Sequence, residues 1–411
     1  MILQAPEKKD FQGIHIVGIP NKRFNISIRH GKFQSVKESG ERDGAVNGNE
    51  AGQRNEAVNR NGASEGDEAE TGEEREEQDG ELWISPGLID LHTHLAWTDF
   101  DHADQLKRDP QEIEAMQAKA FEATLRAGIT TARDAGGLAQ PTADYILRHY
   151  GLPLRVITSN GMFGAADARG IEHLQVRMNE VFASGADWIK IMATGGLGAP
   201  TEKVLEPNFS EQEFAFIVKY AHDHGKKVLV HSWGGVTIDW SIQAGVASVE
   251  HGMFLTADQA GRMAASGVAY VPTASIYRIA ADPKGVLALP PLISDRAARA
   301  AEAHPRAVEY AKREGVLIGF GTDYATPALH GSNLMELDTL REYGLSWKEA
   351  WQSATSNAAR ILDTERQLGA VVEGLLADAV VFRQDPFQAE SSWQIQDSIA
   401  MVLTAREGSL V

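Results

Sequence analysis

The segment Asp90-Leu91-His92-Thr93-His94, at the end of an apolar run that starts near Trp83, constrains this chain more than any other feature. In an extended strand, residues i and i+2 point to the same side, so both imidazoles can converge on one metal ion. Lys190, His231, His251 and Asp323 each stand at or just past the end of another apolar, strand-like run. A centre assembled from single residues at many strand ends needs a fold that gathers those ends in one place. A parallel α/β barrel does this.

Eight runs read as barrel strands: Trp83 to Leu91, Ile129 to Arg133, Leu154 to Thr158, Trp188 to Met192, Lys227 to Val230, Ala247 to Glu250, Val268 to Pro272 and Leu317 to Gly321. Between them lie segments with apolar residues at three- and four-residue spacing, such as Glu112 to Ala127, Glu211 to His224 and Ser294 to Glu314, which read as helices. The fold expected is α/β, a (β/α)8 TIM barrel over 85–363 with the candidate ligands at the carboxyl ends of its strands. Short alternating runs at Ile14 to Val17, Phe24 to Ile28, Phe33 to Val36, Ala377 to Phe382 and Ser398 to Thr404 predict a small discontinuous β-sandwich domain formed by both termini, 1–84 and 364–411.

The 411 residues are long enough for one large core and a satellite domain, and they include no cysteine, so any metal must be held by nitrogen and oxygen. A net charge of -18 argues against a nucleic-acid partner. Much of that charge lies in 41–81, where 14 acidic residues against 4 basic give a balance of -10. Large apolar side chains are almost absent there, and a mobile, solvated insertion is expected. No run of about 18 apolar residues occurs and the first residues lack a leader pattern, so a soluble, cytoplasmic protein without membrane contact is expected.

Six segments carry a family resemblance: Pro86 to His94, Gly128 to Asp134, Ala186 to Gly196, Val249-Glu250-His251-Gly252, Gly321-Thr322-Asp323 and Gly374 to Ala379. In order and spacing the chain resembles the amidohydrolase superfamily, within it the group related to imidazolonepropionase and the Xaa-Pro and Xaa-Arg dipeptidases. The resemblance implies two divalent metal ions, zinc by default. His92 and His94 would hold the more buried one with Asp323, while His231 and His251 would hold the second. Lys190 would bridge them, and because an ammonium cannot ligate a cation this role requires carboxylation by carbon dioxide to a carbamate. A hydroxide shared by the metals would be the nucleophile, with Asp323 as proton shuttle.

The activity this implies is hydrolysis of an amide bond in a small peptide-like or N-acyl amino acid substrate, by an enzyme that is commonly a homo-oligomer. His330, Tyr277, Arg278 and Trp233 are the candidate substrate-binding residues. Tyr277 and Arg278 follow strand seven, where either side chain suits a substrate carboxylate. The family often has a second histidine where this chain has Trp233, and a Gly-Gly-His stretch where it reads Asn160-Gly161-Met162-Phe163-Gly164. Both departures leave room for a bulkier or aromatic amide. A lactonase, a phosphotriesterase or a cyclic-amide hydrolase on the same centre stays open. A heterocycle deaminase is disfavoured, because the glutamate expected three residues after the strand-five histidine is Gly234.

Overall fold

The apolar run from Trp83 does not continue as one strand. It breaks at Gly87, whose N–H is held by Asp378 O at 2.8 Å, and the two halves serve different sheets. Trp83–Pro86 pairs antiparallel with Ala379–Phe382, whereas Leu88–Thr93 pairs parallel with Ile129–Asp134. The computed structural model describes residues 2–4, 7–40, 81–198 and 203–405, so the acidic segment 41–81 lies, apart from Glu81, outside the described residues.

Strands from both ends of the sequence share one seven-stranded sheet, in the order Ile2–Gln4, Ile399–Thr404, Ala379–Phe382, Trp83–Pro86, Lys8–Ile16, Phe24–Arg29, Lys32–Glu38. Its apolar face buries Phe11, Ile26, Ile28, Phe33, Ile84 and Leu403. Burial along Phe24–Arg29 alternates, as it does in a sheet with one covered face.

The remaining strands are parallel. Leu88–Thr93, Ile129–Asp134 and Arg155–Thr158 form one sheet, and Ala269–Val271, Ser248–His251, Lys227–Ser232, Trp188–Met192 and Met162–Phe163 form another. Leu88–Thr93 and Ile129–Asp134 are buried at every position, the pattern of strands covered on both faces. The helices that cover them begin with designed stops: Asp109 caps Pro110–Arg126, and Ser210 with Glu213 forms a capping box on Glu211–Asp223. Among the described residues no helix is long and apolar enough to cross a membrane.

The last expected strand, Leu317 to Gly321, is not a regular strand. It makes one isolated parallel bridge, Tyr270 to Ile318, through Tyr270 N to Leu317 O at 2.9 Å and Gly319 N to Tyr270 O at 2.8 Å, and on the other side Leu91 N donates to Phe320 O at 2.9 Å and Thr322 N to His92 O at 2.9 Å. It thus connects the two parallel sheets, an arrangement consistent with a barrel. Its two glycines have a steric reason. A Cβ on Gly319 would lie 2.5 Å from Leu91, and one on Gly321 would lie 2.5 Å from Val271 and 2.8 Å from the Cβ of His92. The segment is pressed against its neighbours more closely than a side chain allows.

The 24-residue helix Pro291–Glu314 contains Pro305 in its interior. An interior proline removes one helical N–H and crowds the carbonyl four residues back, at a cost of about 3 kcal/mol. His304, immediately before it, is fully buried.

Gly321→Ala should lower stability by about 1–3 kcal/mol in denaturant unfolding, because the added methyl has no free space. It should also reduce any activity that depends on His92, and wild-type unfolding and activity in this variant would show that the tight contact is unimportant.

Candidate active site

The strand ends deliver the expected side chains to one point. His94 Nε2 lies 3.1 Å from Asp323 Oδ1 and His92 Nε2 lies 3.3 Å from the same oxygen. His251 Nδ1 is 3.8 Å from Asp323 Oδ2, and Lys190 Nζ is 3.3 Å from His92 Nε2. The His231 and His251 rings are edge to face at 4.4 Å between centroids. One ligand atom each from His92, His251 and Asp323 falls within a 4.8 Å cluster. All six are buried except Asp323, whose side chain is 20% exposed.

The far nitrogens of the imidazoles fix which atoms face this point. His92 Nδ1 meets the buried carboxylate of Glu250 at 2.6 Å, and His94 Nδ1 meets the carbonyl of Gly136 at 2.9 Å. Both partners accept, so both Nδ1 atoms carry the proton and both Nε2 atoms turn a lone pair toward Asp323. His231 Nε2 donates in the same way to Gly195 O at 3.0 Å. Thr273 gives its hydroxyl proton to Pro272 O at 2.6 Å, so its oxygen accepts from His251 Nδ1 at 2.7 Å. The centre is therefore rich in acceptors. Imidazole, carboxylate and amine groups without sulfur suit a borderline divalent cation, and converging lone pairs are stable only with positive charge among them.

Charge and burial act together here. Burial pushes the Lys190 ammonium down to about 8, against the pull of Glu250 and Asp323. His231 is pushed down to about 3 by burial and then by Lys190, and burial places His251 well below the usual imidazole range. Burial would raise Asp323, but positive charge at the rings around it, His92 first, outweighs burial and holds the carboxyl well below its ordinary value, the same demand for a cation that the converging lone pairs make. Glu250 is likewise held at about 2, since Arg133 and His92 overcome its burial. Arg133 donates to Glu250 Oε1 at 3.0 Å and to Leu91 O at 2.5 Å, and its guanidinium lies 4.5 Å from the Trp188 ring centroid.

Three non-glycine residues at strand ends have left-handed backbones: His251 at φ 70°, Thr273 at φ 52° and Asp323 at φ 56°. Each conformation costs about 1–2 kcal/mol. The turns redirect side chains that would otherwise follow the strand direction.

The candidate substrate residues divide. Tyr277 is buried edge-on to His251 at 5.8 Å and to Trp233 at 5.4 Å, and burial with the Asp323 charge raises its hydroxyl well above the usual range. His330 is buried 3.3 Å from Thr124, and burial pushes its imidazole down to about 4 against the bond it donates to the His94 backbone carbonyl. Arg278 is not brought to the cluster. It forms an exposed ion pair with Glu342 and lines a surface cleft with Asp338 and Trp393. Successive helical residues point about 100° apart, so a helix that turns Tyr277 inward turns Arg278 out. Asp99 is committed to Arg108 at 2.6 Å, and His224 bonds Tyr220 O on the surface.

Several residues of this site were not singled out from the sequence. Glu250 and Arg133 were legible in principle, because charges inside apolar strands must be paired. Asp90 accepts from His92 N at 3.1 Å, Thr322 Oγ1 at 2.7 Å and Asn333 Nδ2 at 3.0 Å, which ties the first strand to the loop carrying Asp323. Trp97 stacks on His94 at 3.8 Å and 6°. The two-residue period puts Asp90 in line with His92 and His94, whereas no spacing signal announces Trp97.

The ochratoxinase of Aspergillus niger is 26% identical over 349 residues, spanning 74% of this chain and 71% of that enzyme. A prolidase complexed with N-methylphosphonate-L-proline shares the fold with a TM-score of 0.80 at 23% identity, over 97% of this chain and 98% of its own. A Xaa-Pro dipeptidase with methionine bound in its active site does so with a TM-score of 0.77 at 23% identity, over 99% and 100%. A family model described as the amidohydrolase family matches residues 83–405, most of the sequence, and the chain belongs to that family.

Proposed function

We propose that this chain is a divalent-cation-dependent hydrolase that cleaves the amide carbon–nitrogen bond of a small peptide-like or N-acyl amino acid substrate. The observation that carries this reading is the meeting of the His92 and His94 Nε2 lone pairs on one oxygen of Asp323, 3.3 and 3.1 Å away, inside a buried site. His92, His94 and Asp323 would hold one cation, His231 and His251 a second, and Lys190, as its carbamate, would bridge the pair. Zinc is the first choice for this donor set. When bound, the cations supply Lewis acidity toward the scissile carbonyl and the attacking water.

The chain's own groups do the rest. Asp323, anionic and fixed by imidazoles, accepts the proton of the attacking water and returns it to the leaving nitrogen. Glu250 and Gly136 O hold the two imidazoles in the tautomer that presents Nε2. The depressed Lys190 ammonium gives a supply of free amine, the form that reacts with carbon dioxide. Tyr277, Trp233 and His330 form the substrate side. The prolidase and Xaa-Pro dipeptidase relatives support a peptide-like substrate, and the ochratoxinase leaves room for a bulkier one. In this reading the catalytic unit is a closed (β/α)8 barrel over 85–363, and 1–84 with 364–411 form a satellite sandwich.

Elemental analysis of the purified protein should give two equivalents of divalent metal, and chelation should abolish hydrolysis of dipeptides and N-acyl amino acids until metal is restored. Preferred turnover of lactones or phosphotriesters would replace the amide reading. Lys190→Ala should lose most activity and regain part of it with acetate or propionate; full activity without these acids would sink the carbamate. Asp323→Asn should lower kcat about 10²–10⁴-fold, the usual range for a positioned proton-transfer group. Glu250→Gln should weaken metal binding about 10–100-fold by releasing the His92 tautomer, read by competition with a chromogenic chelator.

A further inference from the structure

His304 is buried against the site yet takes no part in the reaction described above. Its Nε2 donates to the main-chain carbonyl of His251 at 2.9 Å, and the hydroxyl of Tyr270 donates to the same oxygen at 2.8 Å. The two donors arrive from different elements, His304 from the helix Pro291–Glu314 and Tyr270 from the strand Ala269–Val271. We infer that His304 is a positioning residue which, with Tyr270, clamps the left-handed main chain of His251 and so aims that imidazole; the inference rests on the assignment of His251 to the second cation.

The backbone at this point needs such a clamp. His251 at φ 70° is followed by Gly252 at φ 50°, so two consecutive residues leave the ordinary helical and extended regions. Relaxation of His251 to a strand-like φ would rotate its carbonyl away from both donors and bury it without a partner. Tyr270 also presses on the turn from the other side, since a Cβ on Gly252 would lie 2.8 Å from its ring. The imidazole of His304 is held in place by its own neighbours, the rings of Tyr277 at 5.8 Å and Tyr343 at 5.9 Å. The interior Pro305 follows directly. A helix that breaks a local rule beside a strained site residue is where a positional requirement has overridden propensity.

The simpler alternative is a core histidine whose nitrogen merely found an acceptor, and three variants separate the two. His304→Gln keeps an N–H donor near the position of Nε2, His304→Phe keeps ring volume without the donor, and Tyr270→Phe removes the other donor. Each chelated protein is titrated with zinc by calorimetry, and hydrogen exchange at the Gly252 amide, bonded to Ser232 O at 2.9 Å, is followed in the cation-free state. His304→Phe and Tyr270→Phe should weaken the second zinc equivalent about 10–100-fold, with the first changed by no more than about threefold, and His304→Gln should restore it to within about threefold. Gly252 exchange should rise about tenfold in the two Phe variants but not in His304→Gln. Wild-type zinc binding and exchange in both Phe variants would overturn the clamp, as would equal losses in His304→Gln and His304→Phe. If His304→Phe does not fold, Tyr270→Phe decides alone, and wild-type behaviour there overturns the inference. A wild-type protein that takes up no second zinc would defeat the proposed function, while the exchange measurement would still decide the clamp.

Discussion

Lone pairs of the same sign, crowded where water is scarce, govern this molecule. Two imidazole nitrogens stand within 3.3 Å of one carboxylate oxygen, and every supporting contact keeps them there. Glu250 prevents the His92 ring from turning its N–H inward, and Arg133 keeps Glu250 charged by lying against it. Loss of either member of that buried pair would strand the other, at a cost of about 3–5 kcal/mol. The site is thus a chain of obligations. Each buried charge exists because the next requires it.

Close packing bears the same load in steric form. The glycines of the Leu317 to Gly321 segment let the loop bearing Asp323 approach His92, and Asp90 binds that loop to the first parallel strand through Thr322 and Asn333. The left-handed residues at three strand ends are held by such contacts, with Thr273 bonded to the ring of His251. Strain persists where the surroundings determine the conformation more strongly than the residue's own preference does.

The parallel strands and the helices between them were legible from periodicity because each is buried in a regular way. Trp188–Met192 lies where the apolar run places it, and Glu211–Asp223 differs from the expected helix by one residue at its end. The His92 and His94 pair was legible because a two-residue period is a geometric property of strands. Other features depend on partners distant in sequence and leave no local trace. The break at Gly87 is fixed by Asp378, and the outward turn of Arg278 follows from the inward turn of Tyr277 one residue before it. His304 lies in a helix whose spacing marks it only as interior.

The sheet shared by both ends of the sequence has a consequence for biosynthesis. Ile2 pairs with Val402, and Trp83–Pro86 pairs with Ala379–Phe382, so these ladders cannot close until residues about 300–400 positions further on have been made. The hairpin of Phe24–Arg29 and Lys32–Glu38 has its partners close by and can form early. Trp83–Pro86 must meanwhile wait with an open edge, at a stage when nascent chains are vulnerable to pairing with one another. Completion of this sheet is therefore a late seal, set by contacts of very long sequence separation.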